Sequence, residues 1–127
     1  KQVFSHDPDL VLYGGISGRL DDVPDLRTIV ERIEKAGAEV AAFTGTLLIP
    51  RYWEHFERSR EHRMRYRNAL EEAGEADGFA VIDLGAAWET YVQNCGKPVA
   101  FFRRDDHHAN DRGKQIYGRL LAQWFMP

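Results

Sequence analysis

Three short apolar runs along the chain predict buried β-strands. They cover residues 9–13, 38–43 and 79–83, with the sequences Asp-Leu-Val-Leu-Tyr, Ala-Glu-Val-Ala-Ala-Phe and Phe-Ala-Val-Ile-Asp. Apolar runs of this length, rich in β-branched and aromatic residues, are typical of strands that are covered on both faces of a sheet. Gly14 and Gly15 follow the first run, which indicates that this strand ends in a tight turn.

Apolar residues at helical spacing predict the helices that connect and follow these strands. The first helix starts at the acidic, proline-containing segment 21–24 and ends near Gly37; its apolar stripe is Leu26, Ile29, Val30 and Ile33. We expect a long helix over residues 53–73, a short one over 86–91 and a loop over 94–104. A last helix packs on the sheet through a clean apolar stripe: Gly113, Ile116, Tyr117, Leu120, Leu121 and Trp124.

The alternation of strands and helices predicts an α/β protein. We expect one domain, residues 1–127, with three α/β/α layers around a parallel, flavodoxin-like sheet. In such sheets the functional residues collect beyond the carboxyl ends of the strands, here at segments 14–18, 44–50 and 83–88 and in the loop before the last helix. Three strands would leave open edges. We therefore expect the chain to form only part of a sheet, and to associate with a missing segment or a second copy.

Composition and charge limit the kinds of molecule that this chain is expected to bind. The 127 residues are 43% hydrophobic and carry a formal net charge of −3, which disfavours a nucleic acid. No apolar run approaches the roughly 20 residues that span a bilayer, so we expect no membrane partner. The single Cys95 excludes an intrachain disulfide and a cysteine-based zinc site. The arginine-rich segment 51–67 also contains Glu54, Glu57 and Glu61, which predicts a solvated helix with i,i+4 ion pairs.

The strongest chemical signal is segment 105–113, Asp-Asp-His-His-Ala-Asn-Asp-Arg-Gly, which directly precedes the last helix. Asp105 and His108 are three residues apart, a spacing that sets both side chains on one side of a turn. The carboxylate can then accept the imidazole N–H and leave the other ring nitrogen as a general base. Two other interpretations stay open. Asp105 could cap the last helix. Together with Asp106 and His107 the pair could also bind a metal ion, although a single turn cannot easily place its ligands around a metal.

The segment resembles the last sequence block of the SGNH/GDSL hydrolase family, Asp-x-x-His before the C-terminal helix. Asp105 and His108 match this block, and Asn110, Asp111 and Gly113 are similar to its usual continuation. A second similarity lies in residues 8–17, Pro-Asp-Leu-Val-Leu-Tyr-Gly-Gly-Ile-Ser, which resemble the strand and turn of the family's Gly-x-Asn block. The order of strands and helices between the two blocks also agrees, so the resemblance covers nearly the whole chain.

The resemblance implies an SGNH-type fold and a carboxylic ester hydrolase that needs no metal or organic cofactor. It assigns His108 as the base that activates a serine, Asp105 as the carboxylate that orients it, and Gly15 and Ser17 to the oxyanion hole. The implied substrates are acetyl or short-acyl esters, either small molecules or carbohydrates. Acyl length, alcohol and cellular compartment are left open.

Two departures from the family qualify this interpretation. Ser17 occupies the position of the family's oxyanion asparagine, and the Gly-Asp-Ser block that carries its nucleophile is missing. We therefore expect the nucleophilic serine outside this chain; in a complete, active chain Ser17 would be the default nucleophile. The missing block also implies that the sheet lacks the family's N-terminal strand–helix unit and is incomplete at its N-terminal side. A catalytically inactive SGNH-like module that binds carbohydrate or a protein is the alternative, and an unrelated flavodoxin-like module is a third hypothesis.

Four aromatic residues flank the expected cleft: Trp88, Tyr91, Phe101 and Phe102. They are expected in the core, with a platform for a sugar or acyl group as the alternative. Arg103 and Arg104 are expected to be solvated, with contact to an acidic substrate as the alternative.

Overall fold

Three parallel strands form the sheet of this protein, in the order β1–β2–β3. The computed structural model describes residues 3–14, 23–45 and 48–126. The strands are β1 (Leu10–Gly14), β2 (Glu39–Phe43) and β3 (Ala80–Ile82). Val11 lies opposite Val40 on β2, and Ala42 lies opposite Val81 on β3. The three predicted strands and the parallel α/β architecture are thereby confirmed.

Five α-helices surround the sheet within the described ranges. They are α1 (Val23–Glu34), α2 (Pro50–Glu54), α3 (Phe56–Asp77), α4 (Leu84–Asn94) and α5 (Asp111–Ala122). Short 3-10 turns occupy Val3–His6, Val99–Phe102 and Gln123–Phe125. Gly78 ends α3 with a left-handed backbone, φ 81°, which glycine adopts without strain. No helix in these ranges has the length and apolar content of a membrane span.

The two faces of the sheet bury different helices because successive side chains of a strand point to opposite sides. Val40 and Ala42 lie in one apolar cluster with α1 residues such as Val30 and with Leu70 of α3. Ala41 and Ile82 lie on the other side, against the α5 residues Tyr117, Leu120 and Leu121. The sheet therefore lies between α1 and α3 on one face and α5 on the other, as a three-layer fold requires.

Two details of the predicted helices are wrong. The helix expected over residues 53–73 is two helices, because the chain bends at His55, where φ is −122° and ψ is 48°. Trp124, expected in the core with the α5 stripe, is 44% exposed. Helix α5 ends at Ala122 and continues as a tighter 3-10 turn, and the smaller number of residues per turn rotates Trp124 away from the stripe.

Candidate active site

A narrow loop between the 3-10 turn Val99–Phe102 and α5 carries the predicted Asp-His motif. Its two arms run antiparallel, with a bridge between Arg103 and Ala109. The Arg104 N–H donates to the His108 carbonyl at 2.8 Å, and the Asn110 N–H donates to the carbonyl of Phe102 at 3.0 Å. These bonds close the base of the loop and leave residues 105–107 at its tip.

Asp105 and His108 meet at this tip. Asp105 Oδ1 accepts the backbone N–H groups of His107 and His108, each at 2.9 Å. His108 Nδ1 lies 2.7 Å from Oδ1 and 2.9 Å from Oδ2 of the same carboxylate. A carboxylate at Nδ1 favours the tautomer that carries its proton there. The lone pair of Nε2 is then available to accept a proton from another group.

The environment of Asp105 keeps its carboxyl group ionised. The backbone N–H of His107 holds the pKa of Asp105 well below its usual range and outweighs the partial desolvation that acts in the opposite direction. The ring and N–H of His108 and the guanidinium of Arg104 lower this pKa further. The side chains of Asp105 and His108 are 45% and 65% exposed. The Asp105 carboxylate is therefore ionised, and both side chains of the pair are oriented and exposed to solvent.

Asn110, and not Asp105, caps helix α5. Its Oδ1 accepts the N–H of Gly113 at 3.0 Å, the bond expected of an N-cap. Its Nδ2 donates to the carbonyls of Phe101 and Arg103, at 3.0 and 3.3 Å, and so ties the helix start to the opposite arm of the loop. The interpretation of Asp105 as a helix cap is therefore wrong. The Asn-x-x-Gly spacing was the sequence signal for the true cap.

An apolar cluster, here called the apolar floor, packs against the inner side of the loop. Phe102 and Ala109, one on each arm, pack with Trp88 of α4 and with Leu48 from the segment after β2. Trp88 is fully buried and meets Phe102 edge to face at 5.4 Å. Trp88 and Phe102 thus belong to the core, as expected, and Tyr91 is partly buried against them. The same prediction is wrong for Phe101, which is 39% exposed. Gly113 lies so close to this base that a Cβ there would collide with the Phe102 carbonyl oxygen.

A buried polar cluster lies at the carboxyl ends of β2 and β3. Thr44, which is fully buried, donates to Asp83 Oδ1 at 2.8 Å and accepts the N–H of Gly85 at 2.8 Å. Asp83 caps α4 through the N–H of Ala86 and receives Arg63 at 3.1 Å on both carboxylate oxygens. The strand ends are therefore linked to α3 and α4 by charged hydrogen bonds, which are stronger than neutral ones.

The same cluster extends to Tyr52 of α2, and it shows that Arg63 is not solvated as the sequence pattern predicted. Arg63 also donates to Glu89 at 3.3 Å, and Glu89 accepts the hydroxyl of Tyr52 at 2.8 Å. Burial raises the pKa of Tyr52 to about 12; Glu89 contributes in the same direction and Arg63 opposes it. Segment 51–67 was predicted to be solvated throughout, but Arg63 is 8% exposed. It is buried because two carboxylates from distant parts of the chain neutralise it.

The structure describes only some of the remaining predicted site residues. Gly15 and Ser17, the predicted oxyanion donors, lie outside the described residues. His107 contributes its backbone N–H to Asp105, and Asp106 pairs with Arg103 at 3.2 Å. Within ranges 3–14, 23–45 and 48–126, no three His, Cys, Asp or Glu side chains are grouped so that they could hold a metal ion.

Comparison with known proteins agrees with the fold and with the family resemblance. The sequence profile of the GDSL-like lipase/acylhydrolase family matches residues 5–116. No curated protein sequence matches the chain.

Solved structures with the same fold include acetylxylan esterases. Axe2 from Geobacillus stearothermophilus is 17% identical, with a TM-score of 0.73 over 97% of this chain and 62% of that chain. The acetyl xylan esterase AlAXEase is also 17% identical, with a TM-score of 0.74 over 98% of this chain and 70% of that one. Other matched structures are catalytic mutants of Axe2 in which a serine, an aspartate or a histidine is replaced by alanine. The chain thus spans less than two thirds of the length of Axe2.

Proposed function

Because the chain belongs to the GDSL-like lipase/acylhydrolase family, we propose that it provides the Asp-His pair for serine-dependent hydrolysis of carboxylic esters. The observation that carries this proposal is the contact of 2.7 Å between His108 Nδ1 and Asp105 Oδ1 at an exposed loop tip. A histidine in this arrangement can work on a hydroxyl that approaches from solvent, since its Nε2 faces away from the carboxylate.

The proposed reaction uses His108 in two proton transfers. A serine hydroxyl attacks the ester carbonyl carbon while His108 Nε2 takes its proton, and the ionised Asp105 stabilises the resulting imidazolium. As the tetrahedral intermediate collapses, the bond from the carbonyl carbon to the alcohol oxygen breaks, and the imidazolium gives its proton to that oxygen. Water then repeats both steps on the acyl-serine and releases the acid. The chemistry needs no cofactor.

The spacing of the pair supports the assignment of these roles. In Axe2 the aspartate and the histidine of the catalytic mutants are three positions apart in the chain, and Asp105 and His108 are also three apart. We infer that they hold the corresponding roles here. The substrates we propose are acetyl or short-acyl esters, with carbohydrate esters as the favoured class because the matched structures are acetylxylan esterases.

The serine belongs, in this proposal, to a segment outside the chain, since the sequence contains no Gly-Asp-Ser block. We further propose that Gly15 N–H and the Ser17 hydroxyl stabilise the oxyanion. Loss of one oxyanion donor costs roughly 3–4 kcal/mol of transition-state stabilisation. A serine hydroxyl has a shorter reach and a less fixed orientation than an asparagine amide, so we expect Ser17 to be the weaker donor.

The edge of the sheet supports a binding place for that segment. Strand β1 pairs with β2 along one edge, and no described strand pairs with its other edge. Leu10, Leu12 and Tyr13 of this strand are 38%, 41% and 42% exposed. We propose that an N-terminal strand–helix segment, which also carries the serine, adds to this edge and covers these side chains.

The proposal is tested with the full-length gene product, assayed on p-nitrophenyl acetate. We expect His108→Ala to lower the turnover at least about 100-fold, because general base catalysis contributes this much or more. His107→Ala is the matched control: it removes the neighbouring exposed ring, keeps the backbone N–H that reaches Asp105, and should retain activity. Turnover that survives His108→Ala would contradict the esterase mechanism.

A catalytically inactive binding module is the alternative, favoured by Ser17 at the family's asparagine position. It predicts that the same product has no turnover that depends on His108 but still binds a carbohydrate ester. Burst kinetics with p-nitrophenyl acetate would separate the two, since only an active serine releases a first equivalent of nitrophenol in a rapid phase.

A further inference from the structure

The surroundings of the Asp105–His108 loop are positively charged although the chain is acidic. Residues 97–114 contain five Lys or Arg and three Asp, a formal charge of +2, whereas the whole chain carries −3. The segment that carries the proposed catalytic pair therefore has a local excess of positive charge. A local excess of one sign raises the concentration of oppositely charged ligands at a site.

Two of these cations share one exposed aromatic ring. Phe101 is 39% exposed, and its ring centroid lies 4.6 Å from the guanidinium carbon of Arg112 and 5.7 Å from Nζ of Lys97. Cation–π contacts of this kind hold a flexible side chain in place without neutralising its charge. Phe101 thus positions both cations at the surface.

Among the described residues, these two cations differ from their basic neighbours in having no carboxylate partner. Each neighbour pairs with an aspartate: Arg103 with Asp106 and Arg104 with Asp105, both at 3.2 Å, and Lys114 with Asp111 at 3.5 Å. Neither Lys97 nor Arg112 forms an ion pair with any residue of the described ranges. Their charges remain available to a ligand.

Helix stability does not account for the position of Arg112. It lies in the first turn of α5, which begins at Asp111, and the helix dipole there favours acidic side chains and disfavours basic ones. Residues whose charge opposes the preference of the helix dipole are expected at functional or strained sites. Arg112 therefore fits a role in binding better than a role in stabilising α5.

The cluster and the catalytic pair lie on the same rigid loop. The Asn110 side chain bonds the Phe101 carbonyl and caps α5, so Phe101 and Arg112 both lie at the base of the loop whose tip carries Asp105 and His108. Phe101 and Arg104 are three residues apart, at most about 10 Å of extended chain. One ester substrate can therefore reach from the catalytic pair at the loop tip to the cations at the loop base.

We propose that Lys97 and Arg112, held by Phe101, bind a carboxylate on the alcohol part of the ester substrate. The substrate class is then an ester of an acidic saccharide. As a statement about a substrate, this inference rests on the proposed esterase function. The binding step itself needs neither the serine nor turnover. A phosphate group is also negatively charged and could bind the same cations, so the experiment compares it with the carboxylate.

The test is isothermal titration calorimetry of the chain with three unesterified probes: trigalacturonate, neutral xylotriose and inorganic phosphate. We expect trigalacturonate to bind most tightly, and its affinity to fall as the salt concentration rises. Arg112→Gln and Lys97→Gln should each weaken it by about two- to fivefold, the range of one exposed charge interaction, and the double variant by about tenfold. Circular dichroism checks that the variants remain folded.

The matched control is Lys114→Gln, which removes a charge from the same helix but from a lysine that already pairs with Asp111. It should leave the affinity for trigalacturonate unchanged. Equal affinity for xylotriose, equal affinity for phosphate, or an equal loss in Lys114→Gln would each overturn the carboxylate site. A failed esterase assay with intact binding of trigalacturonate would instead reject only the proposed catalysis.

Discussion

The carboxylate of Asp105 is surrounded by donors from its own loop. Two backbone N–H groups and the ring of His108 reach its oxygens from residues no more than three positions away. The contact therefore depends on the local conformation of the loop tip and little on distant packing. This explains why the spacing of Asp105 and His108 was sufficient to predict that they could meet.

The pH dependence of stability follows from the direction of the Asp105 shift. Folding lowers the pKa of this carboxyl group. Its stabilising contribution is therefore present above the ordinary aspartate pKa, about 3.9, and is lost as the pH falls through the still lower folded-state value. We expect wild type to be more stable than Asp105→Asn at pH 7, with the difference shrinking on acidification, as measured by urea unfolding.

The control for this experiment is Asp106→Asn at the same loop tip. Asp106 makes an ion pair with Arg103 but accepts no backbone N–H in the described ranges. Its replacement should change the free energy of unfolding less than Asp105→Asn at pH 7. A wild-type advantage over Asp105→Asn that stays constant down to pH 2 would contradict the assignment of the hydrogen bonds.

Helix α5 and the loop before it behave as one element. Asn110 caps the helix and bonds the opposite arm of the loop, and Gly113 in the first turn approaches the Phe102 carbonyl closely. The start of α5 thereby determines where the two arms lie. The position of the Asp105–His108 tip is set by this helix and by the apolar floor under it.

Gly113→Ala tests this coupling. Alanine stabilises a helix by up to about 1 kcal/mol relative to glycine. At position 113, however, its Cβ would overlap the carbonyl oxygen of Phe102, and overpacking of this kind costs about 1–3 kcal/mol. We expect a net loss of stability in urea unfolding and shifted amide resonances of His107 and His108. Gly118→Ala, in the same helix with open space around its Cβ, should instead stabilise the protein by about 0.5–1 kcal/mol.

At the scale of the whole molecule, no described strand pairs with the outer edge of β1. Leu10 and Leu12 point to one side of β1 and Tyr13 to the other, and all three are exposed. Both sides of the strand therefore show apolar surface beside an edge that no described strand covers. Such an edge promotes association unless a charge or a further element covers it.

We expect the 127-residue chain to self-associate with rising concentration in sedimentation velocity. Leu12→Lys should shift it toward monomer, since a charged residue on an edge strand opposes pairing. Met126→Lys is the control, because Met126 is more exposed, at 63%, but lies far along the chain from β1. A longer product with the N-terminal segment should remain monomeric. A similar effect of both substitutions would argue against the β1 edge.

The sequence by itself determined the strands, the parallel α/β architecture and the Asp105–His108 motif, because each is encoded within a few adjacent residues. Tertiary structure alone decided which charged residues are buried. Arg63 looked like its neighbours on α3, but its partners Asp83 and Glu89 lie 20 and 26 residues away. The burial of a charge depends on whether folding brings a counter-charge to it, and no local pattern around Arg63 contains that information.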